Sequence, residues 1–382
     1  MRLLIVGAGI GGLCAAIALA QSGIEVDIVE IEEESRAPGI GFGLRTNGIR
    51  AIRTLGLLDA CSEIGTSGAG LTYYDNEGRH LCDLDYEARA ESPTNLNMPR
   101  LGFVQIATAR AKELGCRFRM ATTVTDLEQH PDGVDVTFSS SDHQRYDLVV
   151  GYDGINSQIR TDYFGTEFGP TPAGGVAWRV ALPQAPGMTT TMFCQGYGGK
   201  IVFAPLPDDM MYMVLTVAES GRPRYDPAEM PQVMYDRARA LMGESTFMAD
   251  SIERIRAATH VAYTPYSTVW VPYPWFRGRV MIMGDAAHAM TSYLGSGAAM
   301  SIEDGLVLAE ELTKKQPLLE AQLRFMARRL PRVGAVHARS IEAMHEEFDS
   351  LTPETLHRRF EFLRHDEPIA NEYANQLLAR PY

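Results

Sequence analysis

The segment RLLIVGAGIGGLCAAIALAQSGIEVDIVE, residues 2–30, constrains this chain more than any other. An apolar run passes straight into a glycine-rich turn. Leu13, Ala16, Ile17 and Ala20 then recur at helical spacing before Gly23, which can cap the helix, and a second apolar run ends at Glu30. Strand, turn, helix and strand in so short a stretch describe a βαβ unit. Gly7, Gly9 and Gly12 stand in GxGxxG spacing. The first permits the tight turn, the second lets backbone meet a pyrophosphate, and the third lets the helix pack closely on the sheet. The helix start adds unpaired N–H groups and a positive dipole end, both suited to phosphate. Glu30 lies roughly 20 residues into the motif, where a ribose-binding carboxylate is expected. The segment therefore predicts a dinucleotide held by Gly7, Gly9, Ile10, Gly11, Gly12 and Glu30. It does not choose between NAD and FAD.

The rest of the 382 residues narrows the setting. Two domains are the default for this length. A net charge of -13 leaves no basic excess to displace counterions, so neither nucleic acid nor an anionic membrane surface is an expected partner. Cys14, Cys61, Cys82, Cys116 and Cys194 are scattered and odd in number, with no CxxC pair, so no disulfide framework and no metal site is expected. No run approaches the roughly 18 apolar residues of a membrane span, and the N-terminus lacks a signal-peptide pattern. The expected location is cytoplasmic.

Along the chain, residues 48–62 carry a weaker helical pattern, and Arg100 opens another helix, LGFVQIATARAKELG. Short strand-like runs dominate from about 171 to 275, interrupted by the helical MPQVMYDRARALMG, before the apolar RVMIM and a helical end. A βαβ beginning, a β-rich middle and a strand-plus-helix return predict an α/β fold with a Rossmann-like domain assembled from separated segments. The expected division is 1–72, 98–170 and 276–330 for the nucleotide domain, 73–97 and 171–275 for an inserted β-sheet substrate domain, and 331–382 for C-terminal helices.

Two further motifs follow predicted strands. DLVVGYDGINSQIR supplies Asp153, Gly154, Ser157 and Arg160, and GDAAHAMTSYLGSGAA supplies Gly284 and Asp285. With GxGxxG, DG and GD in this order, the chain resembles, over most of its length, the single-component FAD-dependent monooxygenases of the para-hydroxybenzoate hydroxylase type. The resemblance implies FAD as cofactor, NADH or NADPH as electron donor and molecular oxygen as co-substrate. It also implies hydroxylation of a small aromatic or N-heteroaromatic substrate through a flavin C4a-hydroperoxide. Under it, Glu30 holds the adenosine ribose, and Arg36 runs beside the cofactor with Gly41, Phe42 and Gly43. Arg100 contacts the phosphate–ribityl portion, Val124 pairs with adenine through its backbone, and Asp285 accepts from the ribityl chain. Asp153 belongs to the DG segment associated with FAD and NAD(P)H. On the residues alone, Arg36 and Arg100 also read as solvated surface charges, and Asp153 with Arg160 as the tie of a turn. His288 fits the framework of the cofactor domain in this family.

The chemistry asks for close approach to the flavin's pyrimidine edge. Leu294, Gly295, Ser296, Gly297 and Ala298 supply mostly small residues there, and a helix beginning near Gly297 would aim its positive end at the reduced ring. Candidates for contact with substrate, between this edge and the β-rich domain, are Trp178, Arg179, Phe193, Tyr212, Tyr263, Tyr266 and Tyr293. Arg179, Tyr212 and Tyr293 are foremost as catalytic-pocket residues. Arg179 stands out because a charge inside VAWRVAL needs a partner. The chain departs from the family at Ser292, commonly proline, at Ser296, commonly glutamine, and at Ile31 and Tyr152. Rival readings are action on a polycyclic natural product or antibiotic, a flavin oxidoreductase without hydroxylation, a flavoprotein that shelters a reactive compound, and a plain NAD-dependent dehydrogenase. Substrate identity, the choice of nicotinamide and oligomeric state are not legible here.

Overall fold

The opening strand, Arg2–Val6, lies between Leu148–Gly151 and Glu25–Val29, parallel to both. Leu3, Leu4 and Ile5 are wholly buried, so both faces of the strand are covered, which is why its sequence is continuously apolar rather than alternating. In this computed structural model, which describes residues 1–34, 41–67, 70–85, 95–221, 223–366, 378 and 382, six strands form that sheet. Their order is Phe276–Arg277, Val280–Ile282, Leu148–Gly151, Arg2–Val6, Glu25–Val29 and Arg117–Arg119. The helix Ile10–Gln21 is buried from Ile10 through Leu19 except at Gly11. It crosses the helix Gly297–Leu312 so closely that a Cβ on Gly305 would lie 2.5 Å from Ala15 Cα. The pattern over residues 48–62 resolves into two helices, Thr46–Thr54 and Leu58–Ile64, because Gly56 adopts φ +71 between them.

A second sheet of seven strands runs in the order Ala262–Thr268, Thr171–Pro183, Met210–Ala218, Gly199–Leu206, Thr191–Gly196, Gly70–Tyr74 and His80–Asp85. Its pairings are antiparallel except that between Thr191–Gly196 and Gly70–Tyr74. Alternation along Thr171–Pro183 sends Val176, Trp178, Val180 and Leu182 into a core that also contains Met234, Ala238 and Leu241 of the helix Met230–Met242. Ala177, Arg179 and Ala181 necessarily face the other way.

One helix serves both sheets. Leu318–Phe348 has 31 residues, hence a length of about 46 Å at the ordinary helical rise. Phe325, Met326, Val333 and Val336 pack in the core of the six-stranded sheet, whereas Glu347 and Phe348 reach the seven-stranded one. Among the described residues no helix is long and apolar enough to cross a membrane. The five cysteines are buried, and no disulfide joins any two of them.

Candidate active site

The glycine turn leaves little latitude at two of its positions. A Cβ on Gly7, which has φ +107, would sit 2.5 Å from the Tyr152 carbonyl oxygen, and one on Gly12 would sit 2.1 Å from the Gly7 oxygen. A Cβ on Gly9 would meet no atom of the described residues within 4 Å. Gly9 therefore borders open space while its neighbours hold the turn shut. No side chain caps the helix start at Ile10, and no acidic residue occupies its first turn, so its leading N–H groups face that space. Glu30 braces the turn: Oε2 accepts from the Ala8 N–H at 2.8 Å, and Oε1 from the Glu32 N–H at 3.1 Å.

The DG and GD segments are joined by a buried arginine. Arg160 donates to the carbonyls of Ala286, at 3.0 Å, and Ile155, at 2.7 Å. Asp153 Oδ2 accepts from the Ile159 N–H at 3.0 Å, and burial raises the carboxyl above its usual range. Gly284 takes φ +57, where a Cβ would press within 2.7 Å of Ser301 Oγ. The next residue, Asp285, lies deep within the fold yet has an exposed side chain, so it lines a cleft rather than a core. Burial raises its carboxyl, opposed by His288 and then Arg100. Below it, His288 Nε2 pairs with Asp304 Oδ2 at 2.7 Å, and His288 is 1% exposed, which places it in the framework and away from solvent.

Arg100 links this cleft to the seven-stranded sheet. Burial lowers its pKa, while Asp285 and Tyr212 favour its charged form and Arg179 opposes it. Arg179 stands beside Tyr212 on the adjoining strand, on the same face of the sheet. Burial raises the Tyr212 phenol, with Arg179 pulling the other way, so Tyr212 stays protonated at neutral pH. No carboxylate forms an ion pair with Arg179 among the described residues.

Gly41, Phe42 and Gly43 pair with Pro99, Met98 and Asn97, and Phe42 meets Phe103 edge to face at 5.3 Å. Val124 begins the strand Val124–His130, opposite Phe138 beside a register shift. Leu294 closes a short 3-10 turn, Gly295 is left-handed at φ +58, and the helix begins at Gly297 with Ala298 in its first turn, uncapped by any side chain. Arg36 lies outside the described residues. Trp178 and Tyr263 are corrected: strand alternation puts both on the core face, with ring centroids 4.6 Å apart and Tyr225 beside them. Phe193 stacks on Tyr73 at 4.8 Å. Tyr266 Oη pairs with Ser292 Oγ at 2.7 Å. Tyr293 points its hydroxyl at Glu347 Oε1, at 2.6 Å, instead of leaving it free.

Two clusters were not anticipated. Asp304 and Glu303 are wholly buried against Arg329 and Arg332; the adjacent acids inside the apolar stretch MSIEDGLVLA were the available signal. Lys200 and Glu347 form a buried pair at 2.8 Å, and Lys200 carried the same signal as Arg179, a charge in an apolar strand.

An open patch beside Gly9, an uncapped helix start, a carboxylate on Glu30 and a second carboxylate, Asp285, next to the Gly284 turn that shares Ser301 and Tyr152 as neighbours with Gly11, fit an elongated molecule with phosphates and hydroxyls. That is the donor and acceptor set FAD requires. The comparisons agree. A family model described as an FAD binding domain matches residues 1–353. The chain is 30% identical over 343 residues to the 2-heptyl-3-hydroxy-4(1H)-quinolone synthase of Pseudomonas aeruginosa, covering 89% of this chain and 88% of that one. It is 30% identical over 362 residues to the 3-amino-4-hydroxybenzoate 2-monooxygenase PtnB3 of Streptomyces platensis, covering 90% and 88%. Its fold superposes on Klebsiella pneumoniae HpxO complexed with FAD and uric acid with a TM-score of 0.85, at 23% identity and covering 100% and 97% of the two chains.

Proposed function

The chain belongs to the FAD-dependent monooxygenases of the aromatic-hydroxylase type, and we propose that it hydroxylates a small aromatic or N-heteroaromatic compound bearing an anionic oxygen, with NADH or NADPH as electron donor and molecular oxygen as co-substrate. One observation carries the choice of substrate: Arg179 and Tyr212 are neighbours on the same face of adjoining strands, within electrostatic reach of Arg100, and Arg179 has no carboxylate partner among the described residues. A half-buried guanidinium without a carboxylate favours an anion that supplies one. A relative named for a hydroxybenzoate and another for a quinolone are consistent with substrates of this size and chemistry.

FAD, when bound, supplies the redox chemistry: acceptance of hydride and activation of oxygen. The chain's own residues do the rest. Backbone N–H groups from Gly9 onward hold phosphate, Glu30 holds ribose, and Asp285 with Arg100 holds the middle of the cofactor. The uncapped helix start at Gly297 would offer a bound flavin a positive dipole end, equivalent to about half an elementary charge. Tyr212, kept protonated by burial, would donate its proton to the substrate oxygen, with the Arg179 charge beside it favouring the anionic form of that oxygen. Held in this way, a phenolate keeps its electron density in the ring, which is the form that an electrophilic oxygen attacks.

The test is direct. Purified protein should be yellow with a flavin spectrum, and NAD(P)H oxidation should be stimulated by members of a panel of hydroxybenzoates, hydroxypyridines and quinolones. Label from molecular oxygen should appear in the product. Binding of FAD without stimulated oxidation by any anionic aromatic in the panel would remove the hydroxylase reading. Label absent from the product would leave only an oxidase.

A further inference from the structure

Serine at 292, where the resembled family commonly has proline, leaves the turn before the cleft-facing helix without a ring to stiffen it. Side chains hold that turn instead. Thr291 Oγ1 meets Ser340 Oγ at 2.7 Å, Tyr266 Oη meets Ser292 Oγ at 2.7 Å, and Ser296 Oγ donates to the Leu294 carbonyl at 2.9 Å. The densest tie is at Tyr293. Its hydroxyl donates to Glu347 Oε1 at 2.6 Å, the same oxygen that accepts from Thr216 Oγ1 at 3.1 Å, while Oε2 accepts from Lys200 Nζ at 2.8 Å. Lys200 and Thr216 are direct partners on adjoining strands, and Lys200 Nζ also stands 4.0 Å from the Tyr293 ring centroid. Glu347 itself is 0% exposed and comes from the last turn of the helix Leu318–Phe348.

A buried ion pair is weak evidence for stability, because apolar residues of similar volume often serve as well. Three donors converging on one carboxylate do something apolar packing does not: they fix a direction. We propose that Glu347 is a positioning residue which, through Tyr293, sets the turn Ser292–Leu294 and hence the helix start at Gly297 against the cleft. Lys200 and Thr216 fix Glu347 to the substrate-facing sheet, so the turn and the sheet keep one geometry. The role rests on the reading of the Gly297 helix start as flavin-facing.

Proline is compatible with position 292. Thr291 has φ -67 and ψ 160, the extended form that precedes proline. Ser292 is the first residue of its short helix, where proline is favoured, and among the described residues its N–H meets no acceptor. Proline there removes the Ser292 Oγ–Tyr266 Oη bond but fixes φ within the turn itself, and so should restore the rigidity that Tyr293 provides.

The experiment uses the FAD-loaded protein and three variants: Tyr293→Phe, Glu347→Gln, and Tyr293→Phe combined with Ser292→Pro. Amide exchange across residues 291–297 and the flavin midpoint potential are measured, with melting as a control. Loss of a hydrogen bond to a charged group should speed exchange there on the order of tenfold. The potential should move to more negative values, because a displaced helix start stabilises the reduced ring less. Adding Ser292→Pro should return both quantities toward those of the parent. Unchanged exchange and potential in Tyr293→Phe would overturn the proposal, as would failure of the proline to reverse either. Tyr293→Phe removes only one hydroxyl, so it decides the matter even if Glu347→Gln does not fold. If the parent protein binds no FAD, the cofactor reading falls and this role falls with it; if the parent binds FAD and only the variants are silent, the cofactor reading stands alone.

Discussion

Asp304 accepts the backbone N–H of Gly284 at 3.0 Å, so the turn that presents Asp285 to the cleft is held by a carboxylate on the neighbouring helix. The same oxygen meets His288 Nε2, and the other accepts from Arg329 Nε at 2.8 Å. Asp304→Ala would strip Arg329, itself wholly buried, of one carboxylate and leave the Gly284 N–H without an acceptor. Breaking a buried pair from one side costs about 3–5 kcal/mol. The expected result is a loss of that size in denaturant unfolding, together with weaker FAD retention. A variant as stable as the parent would show that Arg329 and Glu303 hold the framework without Asp304.

Opposite signs of pH dependence are expected from the buried pair Glu303 and Asp304 and from the nearby Asp285. Burial works to raise both Glu303 and Asp304, but Arg329 and Arg332 around Glu303, and His288 and Arg329 around Asp304, hold both below their ordinary values. Their stabilisation is complete above the unfolded carboxylate range, near about pH 4, and is lost as pH falls through the lowered native values. Asp285 is raised, chiefly by burial. Its contribution is favourable below the unfolded value and is lost as pH rises through the native one, so at neutral pH its charge is a cost to the protein without cofactor. Asp285→Asn should therefore raise the apo-protein's Tm slightly at pH 7 and lower its affinity for FAD. Melting curves from pH 7 to pH 3 on the parent, Asp285→Asn and Asp304→Asn would separate the two signs; an apo Tm lowered by Asp285→Asn contradicts the assignment.

These acids also mark how far the sequence could be read. The βαβ start was legible because its signals are local: glycine spacing, helical periodicity and a carboxylate at the next strand end lie within 30 residues. Arg179 and Lys200 were equally visible as charges in apolar strands, but their partners were not. Lys200 meets Glu347 across 147 positions and Arg329 meets Asp304 across 25, and no local pattern encodes a pairing made only when helices dock on sheets. Trp178 next to Arg179 shows a different miss. Period-two alternation requires the two to face opposite ways, and grouping both with the substrate overlooked it. Tyr293 was noticed as an aromatic near the cleft, yet the direction of its hydroxyl depends on a helix that arrives from more than fifty residues away.

For substrate recognition, Arg179→Met should raise KM for an anionic aromatic roughly tenfold to a hundredfold, the value of a charge-assisted hydrogen bond. Tyr212→Phe removes the proton offered to the substrate oxygen and should act more on kcat than on KM. Steady-state NAD(P)H oxidation with product quantified alongside would show the split. Equal KM for the parent and Arg179→Met would mean that the guanidinium does not meet the substrate.

The second and third glycines of the GxGxxG run separate folding from cofactor binding. Gly12→Ala drives a Cβ to 2.1 Å from the Gly7 carbonyl oxygen, a backbone atom that cannot move without opening the turn. Overpacking of this kind typically costs about 1–3 kcal/mol or more, so the apo-protein should melt earlier whether or not FAD is added. Gly9→Ala places its Cβ in open space, with nothing within 4 Å. Gly9 has φ -73, which any residue adopts, so no backbone strain opposes the change. The apo-protein should therefore melt where the parent does, or slightly higher through the lower entropy of its unfolded chain. Its new methyl group would occupy the space where a phosphate must approach the backbone, so flavin content after purification should fall sharply. Full flavin content in Gly9→Ala would mean that the phosphates pass elsewhere, and the cofactor would then have to be placed against a different part of the cleft.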